Sequence, residues 1–192
     1  PCLLALACIL AQERHANFKY LCPLTSGKGL ETSNAVHIAD SNNQFMKAAT
    51  INLSNESSPL LAYGQFLGFM EPYDDRSVVV DPGRVMGWFL EAVFQEDREL
   101  PAREFVRRYG VLLPVLDTGS VRNIVEGEME PHGWQPPTGN RLSASLSLGI
   151  HRLRMNRRIN LQERSDDSGS LDLVLQGRPE SFSLVRKVEG IR

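Results

Sequence analysis

The sequence has few of the residues that build metal sites and disulfide frameworks. It contains three cysteines, Cys2, Cys8 and Cys22, in 192 residues, and no CxxC pair. The four histidines are isolated, and no HExxH motif occurs. The spacing of His37 and Asp40 is by itself a weak metal signal. An odd number of scattered cysteines fits free thiols in a reducing cytosol, so we predict a cytoplasmic protein without a metal ion.

The sequence also lacks an apolar run long enough to cross a membrane. The apolar stretch 2–10 has nine residues, whereas a transmembrane helix needs about 20. No basic region precedes it, which makes it a poor signal peptide. Ala5 to Cys8 faintly resembles a lipoprotein cleavage box, but we favour a buried helix, because the stretch is apolar nearly all round. We expect no membrane association.

Motifs for catalysis are missing as well. No GxSxG motif occurs, and Ser26 to Gly29 lacks the upstream glycine and the downstream Ser or Thr of a phosphate-binding P-loop. Glu126 and Glu128 have no histidine or nucleophile nearby in sequence. We predict a protein without catalytic activity or a small-molecule cofactor. The alternative is an enzyme whose catalytic side chains come together only in the folded protein.

The composition is that of a globular protein, but its charge is unevenly distributed. Hydrophobic residues make up 42% and charged residues 23%, so a buried core is expected. Residues 1–139 hold 11 Lys and Arg against 17 Asp and Glu, a net charge of −6. Residues 140–192 hold 10 against 6, a net charge of +4. Such asymmetry indicates a nucleic-acid face or a surface that binds an acidic partner.

Apolar periodicity predicts helices over 84–95, 101–113, 120–130 and 142–155. An earlier helix is predicted to begin with Ser58 as N-cap and Pro59 in its first turn, and to end at Pro72, before a strand at 77–80. The turn-rich loop 131–140 carries Trp134, which either packs over the edge of the core or stacks on a base or a partner. The fold class is therefore α+β, mainly helical.

Two alternating runs follow the helix at 142–155. Ile159 and Leu161 alternate with polar residues, and so do Leu171 and Leu173. A polar loop with Gly169 separates the runs, which predicts a β-hairpin between them, and the tail 181–188 could add a strand. A helix followed closely by a long-looped hairpin resembles a winged-helix (winged helix-turn-helix) domain. The resemblance covers roughly residues 100–176 and depends on element order, since this family has no diagnostic residue string.

The resemblance implies binding of double-stranded DNA, with the helix in the major groove and the wing, residues 157–175, along the backbone. The predicted outward face of the helix and the start of the wing hold five arginines within residues 151–164, and arginine clamps phosphates or reads guanine. About five neutralised phosphates would give a log–log salt slope near −4 to −5. The predicted DNA-binding residues are Ser143, Ser147, His151, Arg152, Arg154, Arg157, Arg158 and Arg164.

Other interpretations stay open. A charged helix face is often only solvated, and Asp166 and Asp167 in the wing loop would repel a phosphate. A second, degenerate winged helix at 59–80 is as plausible as an unrelated α/β element. The predicted organisation is an irregular N-terminal module (1–83), a connecting helix (84–99) and a C-terminal winged-helix module (100–192). The competing function is a protein-interaction adaptor in a DNA-processing or anti-phage defence complex, with other subunits or a second copy as partners.

Overall fold

The computed structural model describes residues 2–11, 53–74, 77–132, 134–164, 169–175 and 178–188. Several predictions lie outside these residues: the loop at Ser26–Gly29, the His37–Asp40 pair and the acidic wing tip at Asp166 and Asp167. The described part contains six α-helices and several small antiparallel sheets, with about half of its residues helical. The predicted α+β class is therefore confirmed.

The helices lie close to their predicted positions from residue 83 onward. A three-residue strand and a one-turn 3-10 helix at Glu130–His132 were not predicted. The α-helices are α1 (Cys2–Leu10), α2 (Leu53–Phe66), α3 (Gly83–Phe94), α4 (Ala102–Leu112), α5 (Ser120–Met129) and α6 (Ala144–Met155). The strands are β1 (Met70–Asp74), β2 (Ser77–Val80), β3 (Glu99–Pro101), β4 (Ile159–Gln162), β5 (Leu171–Leu175), β6 (Arg178–Phe182) and β7 (Leu184–Lys187).

The bounds predicted for the helix near Pro59 are wrong at both ends. Helix α2 begins at Leu53, so Pro59 lies inside it rather than in its first turn. The helix forms around this proline although the ring removes one backbone N–H donor from the helix. Pro72 lies within β1, which forms an antiparallel hairpin with β2. The module at 59–80 is thus a helix followed by a hairpin.

The strand pairing predicted for the wing is also wrong. Strand β4 pairs with the tail strand β7, and β3 pairs with the other edge of β7, which gives the sheet order β3-β7-β4. Strand β5 pairs instead with β6. Only residues 176 and 177 separate β5 from β6, so this local antiparallel pairing closes a much shorter loop than the predicted one.

Helix α6 lies inside the molecule. Its residues from Ser145 to Ile150, and Leu153, are all buried. Ser145 Oγ donates a hydrogen bond to the carbonyl of Leu10 at 2.7 Å, which fixes α6 against the end of α1. The backbone N–H of Val174 donates to Ser147 Oγ at 3.0 Å, which fixes it against β5.

The buried apolar residues between Ala5 and Val185 form one cluster. Trp134 belongs to it: its side chain is buried, and its indole N–H donates to the carbonyl of Ala11 at 3.0 Å. This tryptophan packs in the core and is not available for stacking on a base. The division into modules at residues 83 and 100 stays a prediction. No helix in the described ranges has the length and hydropathy to cross a membrane.

Helices α3 and α6 approach each other at small residues, which yields a first prediction. A Cβ added to Gly149 would lie 3.0 Å from Pro82 Cγ and would overlap the side chain of the fully buried Met86. We expect Gly149→Ala to lower the free energy of unfolding by about 1–3 kcal/mol through overpacking, measured by urea denaturation.

Gly127→Ala is the matched control on α5, because nothing lies within 4 Å of its added Cβ. We expect this substitution to raise the free energy of unfolding by about 0.5–1 kcal/mol through helix propensity. Equal effects of the two alanines would show that the α3–α6 crossing is not tightly packed.

Candidate nucleic-acid interface

The face of α6 that was predicted to contact DNA is largely buried. Ser143 and Ser147 are both fully buried, and each hydroxyl has a partner inside the protein. The prediction that these two serines face DNA is therefore wrong. The apolar stripe correctly placed one side of α6 in the core, but the small polar residues of the opposite side are also covered, by α1 and by β5. The helix cannot enter a major groove with this face.

Ser143 instead belongs to a buried polar network at the beginning of α6. It is the N-cap residue, and its Oγ accepts the N–H of Leu146 at 3.2 Å. Asp117 accepts both the backbone N–H of Ser143, at 2.8 Å, and its Oγ–H, at 2.5 Å. The same carboxylate lies 3.7 Å from Nη1 of Arg122, whose side chain is fully buried. Nε of Arg122 donates to Glu126 at 2.5 Å.

Three of the predicted DNA-contacting arginines have carboxylate partners. Arg152 Nε donates to the buried Asp81 at 2.8 Å, although the arginine side chain is itself 56% exposed. Arg154 forms an ion pair with Glu180. Arg164 Nη2 lies 3.5 Å from Glu99. Much of the positive charge counted in the sequence is therefore neutralised within the protein.

Glu99 also forms an ion pair with a second arginine, on a neighbouring strand. Arg186 on β7 donates to Glu99 at 2.9 Å across the β3–β7 pair. This hydrogen bond, helped by the charges of Arg186 and Arg164, lowers the pKa of Glu99. The exposed face of the three-stranded sheet consequently carries little free charge, and Arg164 is a weaker candidate for holding a phosphate than its sequence position suggests.

The other two predicted DNA-binding arginines, Arg157 and Arg158, have no ion pair among the described residues. Arg157 is exposed and Arg158 is half-buried. We call Arg152, Arg154, Arg157 and Arg158 the arginine corner: four arginines at the end of α6, two of them paired with acids.

The backbone at this corner is a Schellman cap. The N–H of Arg158 donates to the carbonyl of Leu153, and the N–H of Arg157 donates to that of Arg154, both at 2.9 Å. This pattern requires a left-handed residue at position 157, where glycine is usual, and Arg157 adopts φ +54°. A non-glycine residue there costs roughly 1–2 kcal/mol.

His151 adds little positive charge to the corner at neutral pH. Partial burial, together with the charge of Arg154, lowers the pKa of its imidazole below the usual value. Its Nδ1 lies 3.3 Å from Nη2 of Arg154. The carboxylates of Glu180 and Asp81 oppose this shift, and the charge of Arg152 adds to it.

A cavity of about 270 Å³ lies between α3 and α4, away from the predicted residues. Its lining includes Arg107 and Arg108, which both bind Glu104, with nitrogen–oxygen distances of 2.7 and 2.8 Å. These bonds lower the pKa of Glu104 to about 2. Arg108 also pairs with Asp97 at 2.9 Å, so both arginines of the cavity have carboxylate partners. Among the described residues, no three His, Cys, Asp or Glu side chains form a group that could hold a metal ion.

Two acidic partners of the arginine corner were not predicted from the sequence. Asp81 and Glu180 lie 71 and 26 positions away from the arginines that they bind. No local spacing connects residues so distant in sequence. Asp81 also accepts the N–H of Gly83 at 2.9 Å, at the beginning of α3.

The comparisons with known proteins identify a family. The profile of the DpdG-like family matches residues 2–167, which is most of the chain. The chain belongs to the DpdG-like family. Membership associates this DpdG-like chain with a defence-related DNA-modification system, which agrees with the DNA-processing context predicted from the sequence. No curated protein and no solved structure gives a significant match.

The buried network of the DpdG-like chain yields a stability prediction. Asp117→Ala removes the acceptor of two Ser143 bonds and the anion nearest to Arg122 Nη1. We expect the free energy of unfolding to fall by about 3 kcal/mol, because the Ser143 donors lose their acceptor and the buried Arg122 keeps only Glu126 as a carboxylate partner. Urea denaturation measures the change.

Asp97→Ala is the control for this loss of one carboxylate. Asp97 pairs with Arg108 at 2.9 Å but is 49% exposed, so we expect a change below about 1 kcal/mol. A loss at Asp117 no larger than that at Asp97 would mean that the network does not hold α6 in place.

The pKa of His151 yields a pH prediction. Because the folded state lowers this pKa, the unfolded chain binds the proton more readily. Stability should therefore decrease as the pH falls through the unfolded value near 6.5, and level off below the folded pKa. We expect His151→Gln to lose less stability than the parent chain between pH 7.5 and 5.5 in urea denaturation. An unchanged pH dependence in this variant would show that the lowered pKa of His151 does not cause the loss of stability.

Proposed function

We propose that this chain is a non-catalytic subunit of a defence-related DNA-modification system, and that it binds the phosphates of double-stranded DNA through the arginine corner. Family membership supports the DNA context. The corner supports the chemistry, because an arginine guanidinium clamps a phosphate with parallel N–H donors. Contact with the backbone, rather than with base edges, is proposed because the face of α6 is covered.

The observation that carries this proposal is the left-handed conformation of Arg157. The Schellman cap would be more stable with glycine at this position, yet the chain holds an arginine that is exposed and has no acidic partner among the described residues. A local conformational cost retained at an exposed charged residue suggests a function for that side chain. Phosphate binding is the function that the charge and the shape of the guanidinium favour.

The order of elements supports a variant of the winged-helix arrangement. Strands β4 and β7 are antiparallel neighbours and follow α6 along the chain, as a wing follows a recognition helix. Hairpin β5–β6 is inserted between them, and its strand β5 packs on α6. In this variant the helix has become a buried scaffold, and its exposed end carries the cations.

The pairing of the corner arginines changes the expected salt dependence. Two uncompensated arginines neutralise about two phosphates, which gives a log–log slope near −1.8. If DNA also displaces Asp81 and Glu180 from Arg152 and Arg154, the slope approaches −3.6. Both values are shallower than the slope expected from counting charges along the sequence.

Arg157→Gly tests the proposal, because folding and binding should change in opposite directions. Glycine relieves the left-handed conformation, so we expect the free energy of unfolding to rise by about 1 kcal/mol. Loss of one phosphate contact should weaken binding to a random duplex about tenfold at roughly 50 mM salt, and should make the slope less negative by about 0.9. Fluorescence anisotropy over a salt series measures both quantities.

Arg141→Ala is the matched control. It removes one exposed cation at the opposite end of α6, roughly 18 Å along the helix axis. We expect it to change the affinity less than twofold. Equal losses in both variants would indicate a diffuse charge effect, and an intact chain that fails to bind DNA at low salt would refute the proposal.

A further inference from the structure

The second half of α2, residues 59–66, has apolar residues on its outward face as well as on its inward face. The positions that face the interior, Leu60 and Leu61, are buried. A surface helix normally turns polar residues toward solvent, yet four apolar positions in this half of α2, at helical spacing, are open to solvent. These exposed positions are Pro59, Ala62, Tyr63 and Phe66.

Trp88 of α3 extends this apolar face. Its ring lies against the turn after α2, so that a Cβ on Gly68 would be 3.2 Å from two ring atoms. The ring is nevertheless 58% exposed, and the guanidinium of Arg84 lies 5.5 Å from its centroid. Arg84 also donates to the carbonyl of Gln65, which places Trp88 beside the last turn of α2. We call Tyr63, Phe66 and Trp88 the aromatic face.

The aromatic face is large enough to form the centre of an interface. Its three side chains are 57%, 77% and 58% exposed. At about 150–250 Å² per aromatic side chain, they present on the order of 300–480 Å² of aromatic surface. A patch of this size on a monomer is often functional. It is about half of the roughly 800 Å² that each partner contributes to a standard interface.

The charges at the edge of the aromatic face indicate which occupant fits. Residues 59–66 contain no charged side chain. At the edge, Arg84 pairs with Glu71 at 2.7 Å, and both side chains are over one-third exposed. A neutral surface offers no cations to a polyanion such as DNA. Because Arg84 and Glu71 neutralise each other, two copies of this face can meet across a two-fold axis without like-charge repulsion, apolar centre against apolar centre.

We propose that the aromatic face is the contact between two copies of this chain in a two-fold symmetric dimer. Phe66 is the most exposed of the three side chains and follows Tyr63 by about one helical turn. In an isologous contact the same aromatic residues meet from both sides, so each substitution removes two contacts. The dimer does not depend on the proposed contact with DNA.

Sedimentation equilibrium of the whole chain tests the dimer. We expect the 21.5 kDa chain to associate to twice that mass at micromolar concentration. Phe66→Ser should raise the dissociation constant about 100-fold, because a buried aromatic anchor is lost from both copies. Tyr63→Ser should raise it in the same direction. The free monomer should stay folded, since both side chains are exposed, and its urea midpoint checks this.

Val111→Ser is the matched control, because Val111 is 68% exposed on α4 and lies outside the aromatic face. We expect it to leave the dissociation constant unchanged. Trp88 adds a second readout: its fluorescence should shift to the red as the chain is diluted and the dimer dissociates, while Trp134 is buried in both states.

Three outcomes would overturn the proposal. The intact chain could remain monomeric at about 100 μM, a concentration at which even weak dimers form. The dimer could survive Phe66→Ser and dissociate with Val111→Ser. The aromatic face could form a stoichiometric contact with a different protein while the chain itself stays monomeric. Arg157→Gly should leave the dimer intact, so the tests of DNA binding and of dimerisation fail independently.

Discussion

The carboxylate of Asp117 holds together the polar groups at the beginning of α6. It accepts two hydrogen bonds from Ser143 and lies beside the buried guanidinium of Arg122. Helix α6 is enclosed by α1, α3 and β5, so water cannot easily replace these contacts. The packing of α6 in turn fixes the position of the arginine corner at its other end.

Because α6 is buried along most of its length, it is mainly its charged C-terminal end that faces solvent. Its small serines pack against neighbouring elements and bond to them, which leaves no face for a groove. At its C-terminal end, Arg152 and Arg154 bind acids from distant segments, whereas Arg157 and Arg158 have no acidic partner in the part of the chain that the structure describes. The surface charge relevant to a polyanion is therefore smaller than the number of arginines, and it is concentrated at one cap.

The proposed DNA contact and the proposed dimer contact use chemically different surfaces. The arginine corner has an excess of cations, and the aromatic face is neutral. Helix α3 contacts both regions: Trp88 is part of the aromatic face, and Asp81, just before the helix, binds Arg152.

The sequence by itself determined the α+β class and the helices from residue 83 onward, because amphipathic periodicity is local and α3 to α6 follow it. It also located the basic end of the chain. Only the tertiary structure decided which strands pair. Strand β4 pairs with the tail strand β7, and β5 pairs with β6, its neighbour along the chain, so the predicted β4–β5 hairpin does not form. The partners of the arginines were likewise decided there, because Asp81 and Glu180 meet Arg152 and Arg154 only after folding. The same applies to Ser143 and Ser147: their sequence pattern suggests an exposed polar face, but the elements that cover them come from remote parts of the chain.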